Sequence, residues 1–433
     1  MKEINIALLG FGTVGSGVAE ALKRNREFIE RQLGGSMNLK TVLVRHPGNY
    51  KDLEILQGVK ITSDFAEVAE DPSIQIVIEV MGGIHPAKEY IYESLQRGKN
   101  VVSANKDVVA LYGPDIIQTA LTNHVNFSCE ASVGGGIPIL QPLHDSLAGN
   151  RIDKIIGIVN GTTNYILSSM TDTGESYEKA LKEAQAKGFA EADPTNDVCG
   201  YDAARKLAIL AAIGFRANVT FDDVLVEGIQ KITQEDVTYA RDMGYVIKLL
   251  AVALRQGSGV SLNVYPAFVP RSHPLSSVKG SYNAIYVTGN VVDDVMFYGR
   301  GAGSLPTASA VMGDVISTAK HICNGSTGTG MILTDTRRIP FYSSLKLKDS
   351  YYFRLIVNDE TGVLASIAKV FADNDISINE VVQKRRFESC AELMLIVEEA
   401  PRENIIQVEK ALEGLSTVKE VANVVRVMEN VNE

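Results

Sequence analysis

Ile4-Asn5-Ile6-Ala7-Leu8-Leu9 runs straight into Gly10-Phe11-Gly12-Thr13-Val14-Gly15 near the start of this 433-residue chain. A short apolar strand meets a glycine turn, and a helical pattern begins behind it. In such a turn the first glycine permits the tight bend and the second lets the main chain approach a pyrophosphate. The third lets the helix pack closely on the strand. Unsatisfied N–H groups at the helix start then face the anion. A glycine turn that binds nothing would use the same residues, but the placement between strand and helix favours a dinucleotide.

The surrounding pattern agrees. Strands are expected at 4–9, 39–44, 74–80, 100–103 and 125–129, and helices at 14–33, 88–97 and 112–122. That alternation is the rhythm of an α/β chain with a Rossmann-type, doubly wound parallel sheet over residues 1–134. The strand after the first helix ends Val42-Leu43-Val44-Arg45. An acidic residue near that point suits the ribose hydroxyl of NAD, whereas a cation suits the 2′-phosphate of NADP. Arg45, next to His46, therefore points to NADP, with NAD left open and a solvated surface arginine as the plain alternative.

Residues 135–333 read as a mixed α/β substrate-binding domain. Strands are expected at 152–159, 247–253 and 284–288, and an alanine-rich helix at 201–213. A second glycine turn, Gly299 to Gly303, precedes a helical pattern at 307–321 that is placed to return to the first domain, as a joining helix at about 304–321. Residues 334–350, with Arg337, Arg338 and Pro340, form a candidate linker. Residues 351–433 then read strand, helix, strand, strand, helix, strand, which is the ferredoxin-like plan.

Composition narrows the function classes. Formal net charge is -10, against the basic face that nucleic-acid binding requires. No apolar run is long enough for a bilayer, and the N-terminal stretch lacks the plan of a signal peptide, so no membrane partner is expected. The four cysteines, Cys129, Cys199, Cys323 and Cys390, form no close pair and are expected as reduced thiols in a cytoplasmic protein.

Four stretches carry chemistry. Asp202 and Lys206 stand four apart on the alanine-rich helix and share a face. A partly desolvated lysine there could give or take a proton, and Asp202 could hold it or bind a substrate hydroxyl; an ordinary ion pair has the same spacing. Upstream, Gly188-Phe189-Ala190-Glu191-Ala192-Asp193-Pro194 concentrates acids in a loop, and Asp197 follows. Such acids suit an ammonium group, or cap a helix start. Ser103-Ala104-Asn105-Lys106 follows a strand at the end of the sheet where ligands bind in open α/β folds. Glu130 through Pro138 contains three glycines, a carboxylate and clustered carbonyls, which fits either a hard cation or a hinge.

Together these stretches, with Asn160-Gly161-Thr162-Thr163-Asn164-Tyr165-Ile166-Leu167, resemble homoserine dehydrogenase in its form with a C-terminal ACT domain, in order and spacing over essentially the whole chain. The tail's Asp359-Glu360-Thr361-Gly362-Val363-Leu364 and Phe371 to Ile378 resemble ACT turns. The resemblance implies reversible NAD(P)-dependent interconversion of L-aspartate 4-semialdehyde and L-homoserine, on the route to threonine, methionine and isoleucine. It implies Lys206 as proton donor, Asp202 as its carboxylate partner, and Gly188 and Glu191 at the substrate, with Glu191 at the amino group. Asp197 joins that set, and Gly161 and Thr162 lie in the segment that closes on the substrate. Gly10, Phe11, Gly12, Thr13, Val14, Gly15, Arg45, Ser103 and Lys106 would line the nucleotide, with Gly301 and Gly303 returning to it. A sodium ion would take Glu130 and the main-chain oxygens of Val133, Gly135 and Ile137. Threonine is the implied effector at the ACT domain, and a homodimer or homotetramer the implied assembly. Two other readings differ in kind: an amino-acid sensor without turnover, and an aspartate-semialdehyde dehydrogenase. The latter needs a nucleophilic cysteine beside a histidine, for which Cys129 is the residue to inspect.

Overall fold

The computed structural model describes residues 2–328, 339–387 and 390–428. The chain divides into two compact units, Met1–Ile155 with Arg205–Asp223 and Asn283–Ile339, and Ile156–Ala204 with Val224–Tyr282 and Pro340–Glu433. Strand Ile152–Ile158 and helix Tyr201–Gly214 run from one into the other.

In the first unit six parallel strands, β1 (Lys2–Leu9), β2 (Gly35–Leu43), β3 (Lys60–Thr62), β4 (Ile74–Glu79), β5 (Asn100–Ser103) and β6 (Phe127–Ser128), lie in the order β3-β2-β1-β4-β5-β6. This is the doubly wound order, with its switch point between β1 and β4. Ile4, Ile6, Ala7, Leu8 and Leu9 are all buried, because helices cover both faces and leave no side to alternate towards water. Helix Ser304–Asn324 shares the core of β1 through Ala308, Val311, Met312, Val315 and Ala319. It crosses helix Thr13–Arg24 so closely that a Cβ on Gly17 would overlap main-chain and side-chain atoms of Ser304.

Several elements differ from expectation. The helix at 14–33 is two, Thr13–Arg24 and Arg26–Leu33, divided at Asn25. The helix expected from 112 begins at Lys106 and carries Pro114 inside it. The strand at 125–129 shrinks to Phe127–Ser128, and Glu130–Ser132 coils into a tight turn. Strand β3 was too short to leave a period in the sequence.

In the second unit Tyr245–Gln256 and Gly259–Pro270 form an antiparallel hairpin, of which the sequence pattern marked only the centre of the first strand. The second strand is buried nearly throughout and the first over Ile247–Ala253, so neither alternates. The C-terminal plan is as expected: Lys348–Asn358, Val363–Ala372, Ile378–Phe387, Cys390–Pro401, Arg402–Glu413 and Val418–Val427 run strand, helix, strand, strand, helix, strand. The last strand pairs in parallel with the hairpin, Ala267 opposite Arg426, joining both into one sheet. Within the expected linker, Val260 N donates to Pro340 O at 3.0 Å and Tyr342 N to Val260 O at 2.7 Å, so this part is tied to the hairpin. Arg337 and Arg338 lie outside the described residues. Among the described residues no helix is long and apolar enough to cross a membrane.

Candidate active site

At the dinucleotide end, Gly10 has φ 97°, and a Cβ on Gly15 would overlap the Gly10 carbonyl oxygen. Gly12 caps helix Thr13–Arg24 without any side-chain hydrogen bond, the first turn holds no acid, and nothing lies within 4 Å of where a Cβ would stand on it. The N–H groups of an uncapped helix start carry partial positive charge. The turn thus fits a pyrophosphate by both space and charge. Phe11 is buried edge-on to Tyr50, with centroids 5.6 Å apart, so its side chain serves the core. Thr13 is exposed and Val14 half-buried. Arg45 and His46 are exposed just past β2.

Ser103 Oγ donates to Glu79 Oε2 at 2.7 Å and accepts from Asn105 N at 3.0 Å. Glu79 also accepts from Met81 N at 2.8 Å, and its burial raises its carboxyl pKa. This network at the carboxyl ends of β4 and β5 locks the turn in front of helix Lys106–Thr122, capped by Asn105, so half-buried Lys106 is the first helical residue rather than a loose loop lysine. Glu79 was missed from the sequence; an acid ending an apolar strand was its only signal.

The 130–138 loop is also tightly held. The Glu130 carboxylate accepts from Ile139 N (2.5 Å), Leu140 N (2.9 Å) and Gln141 N (2.7 Å). Its own N–H donates to Asp314 Oδ2 at 2.8 Å, and Gln141 Nε2 donates to Asp314 Oδ1 at 3.0 Å. Burial and the neighbouring Glu130 push Asp314 up to about 8. Gly136 N donates to Arg300 O at 3.0 Å, and a Cβ on Gly135 would overlap Gly301 O, so the 300–303 turn lies against this loop. Gly303 caps the helix whose first residue, Ser304, touches Gly17. Among the described residues no main-chain hydrogen bond outside helices and strands reaches the carbonyl oxygens of Val133, Gly135 and Ile137, three buried residues. Such carbonyls beside two buried acids are a donor set that suits a hard cation.

In the second unit Asn160 organises the acids. Its Nδ2 donates to Asp197 Oδ1 at 2.7 Å and Asp202 Oδ2 at 2.8 Å, while Oδ1 accepts from Thr163 N at 2.8 Å and so caps helix Gly161–Thr173. Thr162 Oγ1 donates to Phe189 O at 2.6 Å, tying that helix to the 188–194 loop. Gly188 adopts φ 75°. Glu191 is exposed and stands outside the Asn160 cluster, with its carbonyl held by Gln185 Nε2 at 3.0 Å. Asp193 accepts from Thr195 N at 3.1 Å in the turn before helix Thr195–Val198, whose start has no side-chain cap. Asp202 is buried, and half-buried Lys206 follows one turn later on the same helix. Asn160 was quoted in the sequence motif, but nothing in its spacing announced that it bridges two acids.

Cys129 is buried, and burial pushes its thiol far above the ordinary range. Burial of this kind disfavours the thiolate that a nucleophile needs, which counts against the aspartate-semialdehyde dehydrogenase reading.

A doubly wound sheet with an open, uncapped glycine turn defines a nucleotide-binding enzyme of the NAD(P)-dependent oxidoreductase class. Residues 138–316 match the family model of homoserine dehydrogenase, 10–130 that of the homoserine dehydrogenase NAD-binding domain, and 351–417 that of the ACT domain. The Bacillus subtilis homoserine dehydrogenase is 40% identical over 432 residues, 99% of each chain. A homoserine dehydrogenase structure from Thiobacillus denitrificans superposes with a TM-score of 0.94 at 38% identity over 99% of both chains. A hyperthermophilic archaeal homoserine dehydrogenase in complex with NADPH gives 0.63 at 26% identity over 73% of this chain and 98% of that one. The chain belongs to the homoserine dehydrogenase family, oxidoreductases acting on a CH–OH group, and carries a C-terminal ACT domain.

Proposed function

We propose that the enzyme reversibly reduces L-aspartate 4-semialdehyde to L-homoserine with NADP, in the route to threonine, methionine and isoleucine, in the cytoplasm. When bound, the nicotinamide supplies the hydride in reduction and receives it in oxidation. Lys206 gives a proton to the aldehyde oxygen as negative charge grows there, and takes it back in the reverse direction. Asp202 orients that ammonium. Glu191 and Asp197 receive the substrate's amino group, and Gly161, Thr162 and Gly188 shape the segment around it. The observation that supports this most directly is the Asn160 amide, which holds Asp202 at 2.8 Å one helical turn before Lys206.

The turn from Gly10 to Gly15, with Ser103, Lys106, Gly301 and Gly303, serves the nucleotide, and Arg45 favours its 2′-phosphate. Glu130 and the main-chain oxygens of Val133, Gly135 and Ile137 would hold sodium. The domains are 1–134 with the helix at about 304–321, 135–333 for substrate and dimerisation, the linker 334–350, and 351–433 for regulation. Threonine is the effector of the last, and the assembly is a homodimer or homotetramer. The deciding experiment measures initial rates of NADP and NAD reduction with homoserine, with and without threonine. Absence of homoserine-dependent reduction overturns the assignment. The chain is kept whole for this, because Asp236, fully buried, takes Arg354 of the C-terminal domain as its ion-pair partner at 2.7 Å.

A further inference from the structure

Residues 227–236 cross from the C-terminal sheet to the short helix Thr195–Val198, which contains Asp197. At the sheet end, Arg426 Nη1 donates to Glu227 Oε1 at 3.0 Å. The Arg426 side chain is 5% exposed, lies 3.4 Å from Asp349 and sits over the Tyr265 ring at 4.2 Å. On the same strand, Asn423 Nδ2 donates to Lys231 O at 3.1 Å and to Asp236 Oδ2 at 2.7 Å. Glu227 N is fixed to Val264 O of the hairpin at 2.7 Å.

At the other end, Ile229 N donates to Val198 O at 2.9 Å and Gln230 Nε2 donates to Cys199 Sγ at 2.7 Å. A Cβ on Gly228 would overlap the Val198 carbonyl oxygen. Val198 and Cys199 directly follow Asp197, whose carboxylate shares the Asn160 amide with Asp202. The strap is therefore clamped at both ends, with no room between Gly228 and the short helix. A four-residue helix has too few internal bonds to keep its place alone, so it follows what holds it.

We infer that Arg426, Asn423 and Gly228 are positioning residues for the substrate: through the 227–236 strap, the C-terminal sheet sets where the Thr195–Val198 helix holds Asp197 and Asn160. The inference rests on the assignment of Asp197 and Asp202 to the substrate site. It gives the C-terminal domain a contact path along which a shift of strand Val418–Val427 alters substrate affinity without touching the nucleotide turn. A chain of contacts becomes coupling only when perturbing it moves the far end.

The test compares full-length wild type with Gly228→Ala, Asn423→Ala and Glu227→Gln. KM is measured for homoserine and for the nucleotide, along with amide exchange over residues 195–202. Gly228→Ala and Asn423→Ala are expected to raise KM for homoserine by about 3- to 30-fold, leave nucleotide KM within about twofold, and speed exchange over 195–202. Glu227→Gln gives a smaller change of the same sign. Should Gly228→Ala not fold, Gln230→Ala, at an exposed side chain, carries the same comparison. Folded variants with unchanged homoserine KM, or with both KM values raised alike, overturn the inference. A wild type that does not oxidise homoserine refutes the functional assignment instead, and the exchange comparison then decides on the strap by itself.

Discussion

Around Arg354, Asp236 and Glu392 lie 2.7 and 3.3 Å from a guanidinium, and the three side chains are 9% exposed or less. Around Asn160, Asp197 and Asp202 lie 2.7 and 2.8 Å from a neutral amide, and Asp197 is only half-buried. The first gathers its two carboxylates from distant parts of the second unit, and the second ties two neighbouring carboxylates to the distant Asn160. The first sets a full charge opposite its anions, as two acids removed from water require. Tyr239 and Asn423 add donors to it, and Asn423 comes from the C-terminal domain. In the second, a neutral amide fixes the direction of both carboxylates. The first arrangement suits architecture, and the second suits carboxylates that must still meet a substrate.

If that division holds, damage beside the amide should cost turnover and damage at the guanidinium should cost stability. The largest effect is expected for Lys206→Ala, one turn beyond Asp202. Loss of the proton donor should lower kcat by about 10²–10⁴-fold. Nucleotide affinity by fluorescence titration and the melting temperature should stay near wild type. A variant with near-normal turnover would remove Lys206 from the mechanism.

Arg354→Ala tests the other side. It leaves Asp236 and Glu392 buried without their counter-charge, and breaking a buried pair in this way costs about 3–5 kcal/mol. Urea unfolding of the full chain measures it. A loss under about 1 kcal/mol would place this cluster among the weakly contributing ion pairs.

The contrast also explains what could be read from the sequence. The glycine turn was legible because its constraint is local: Gly10, Gly12 and Gly15 act on one strand and one helix. The C-terminal plan was legible because its strands and helices keep their periods. Arg354 and Asp236 are 118 residues apart, and Asn160 and Asp202 are 42 apart. No period or motif links such partners, since only the folded backbone brings them together. The hairpin Tyr245–Pro270 was only half legible because burial of both faces erases alternation.

Lys248 is a third arrangement: a cation held by neutral acceptors. Its Nζ donates to Asn164 Oδ1 at 2.9 Å and Val278 O at 2.5 Å, at 3% exposure. Burial lowers its pKa from 10.5 to about 8. Below about pH 8 both folded and unfolded states carry the proton, and the cost of burying the charge is fully present. Between about 8 and 10.5 the unfolded chain binds more protons than the folded one, so this group's contribution makes stability rise with pH. The gain should total roughly 3 kcal/mol or less. It is isolated as the difference between wild-type and Lys248→Met unfolding curves across that range. A difference independent of pH would mean that the amide and carbonyl dipoles solvate the ammonium as well as water does.

The smallest expected stability change is also the sharpest test of the division. Asn160→Ala removes the cap of helix Gly161–Thr173, at about 1 kcal/mol, and also the donor shared by Asp197 and Asp202. Asn160→Asp keeps an oxygen for Thr163 N but replaces that donor with a third carboxylate. Asn160→Asp should therefore keep the cap but lose stability through repulsion among three carboxylates, and have the higher KM for homoserine, because like charges push Asp197 and Asp202 apart. If the two variants instead rank alike in KM, the amide acts only as a helix cap, and the acids take their positions from the rest of the fold.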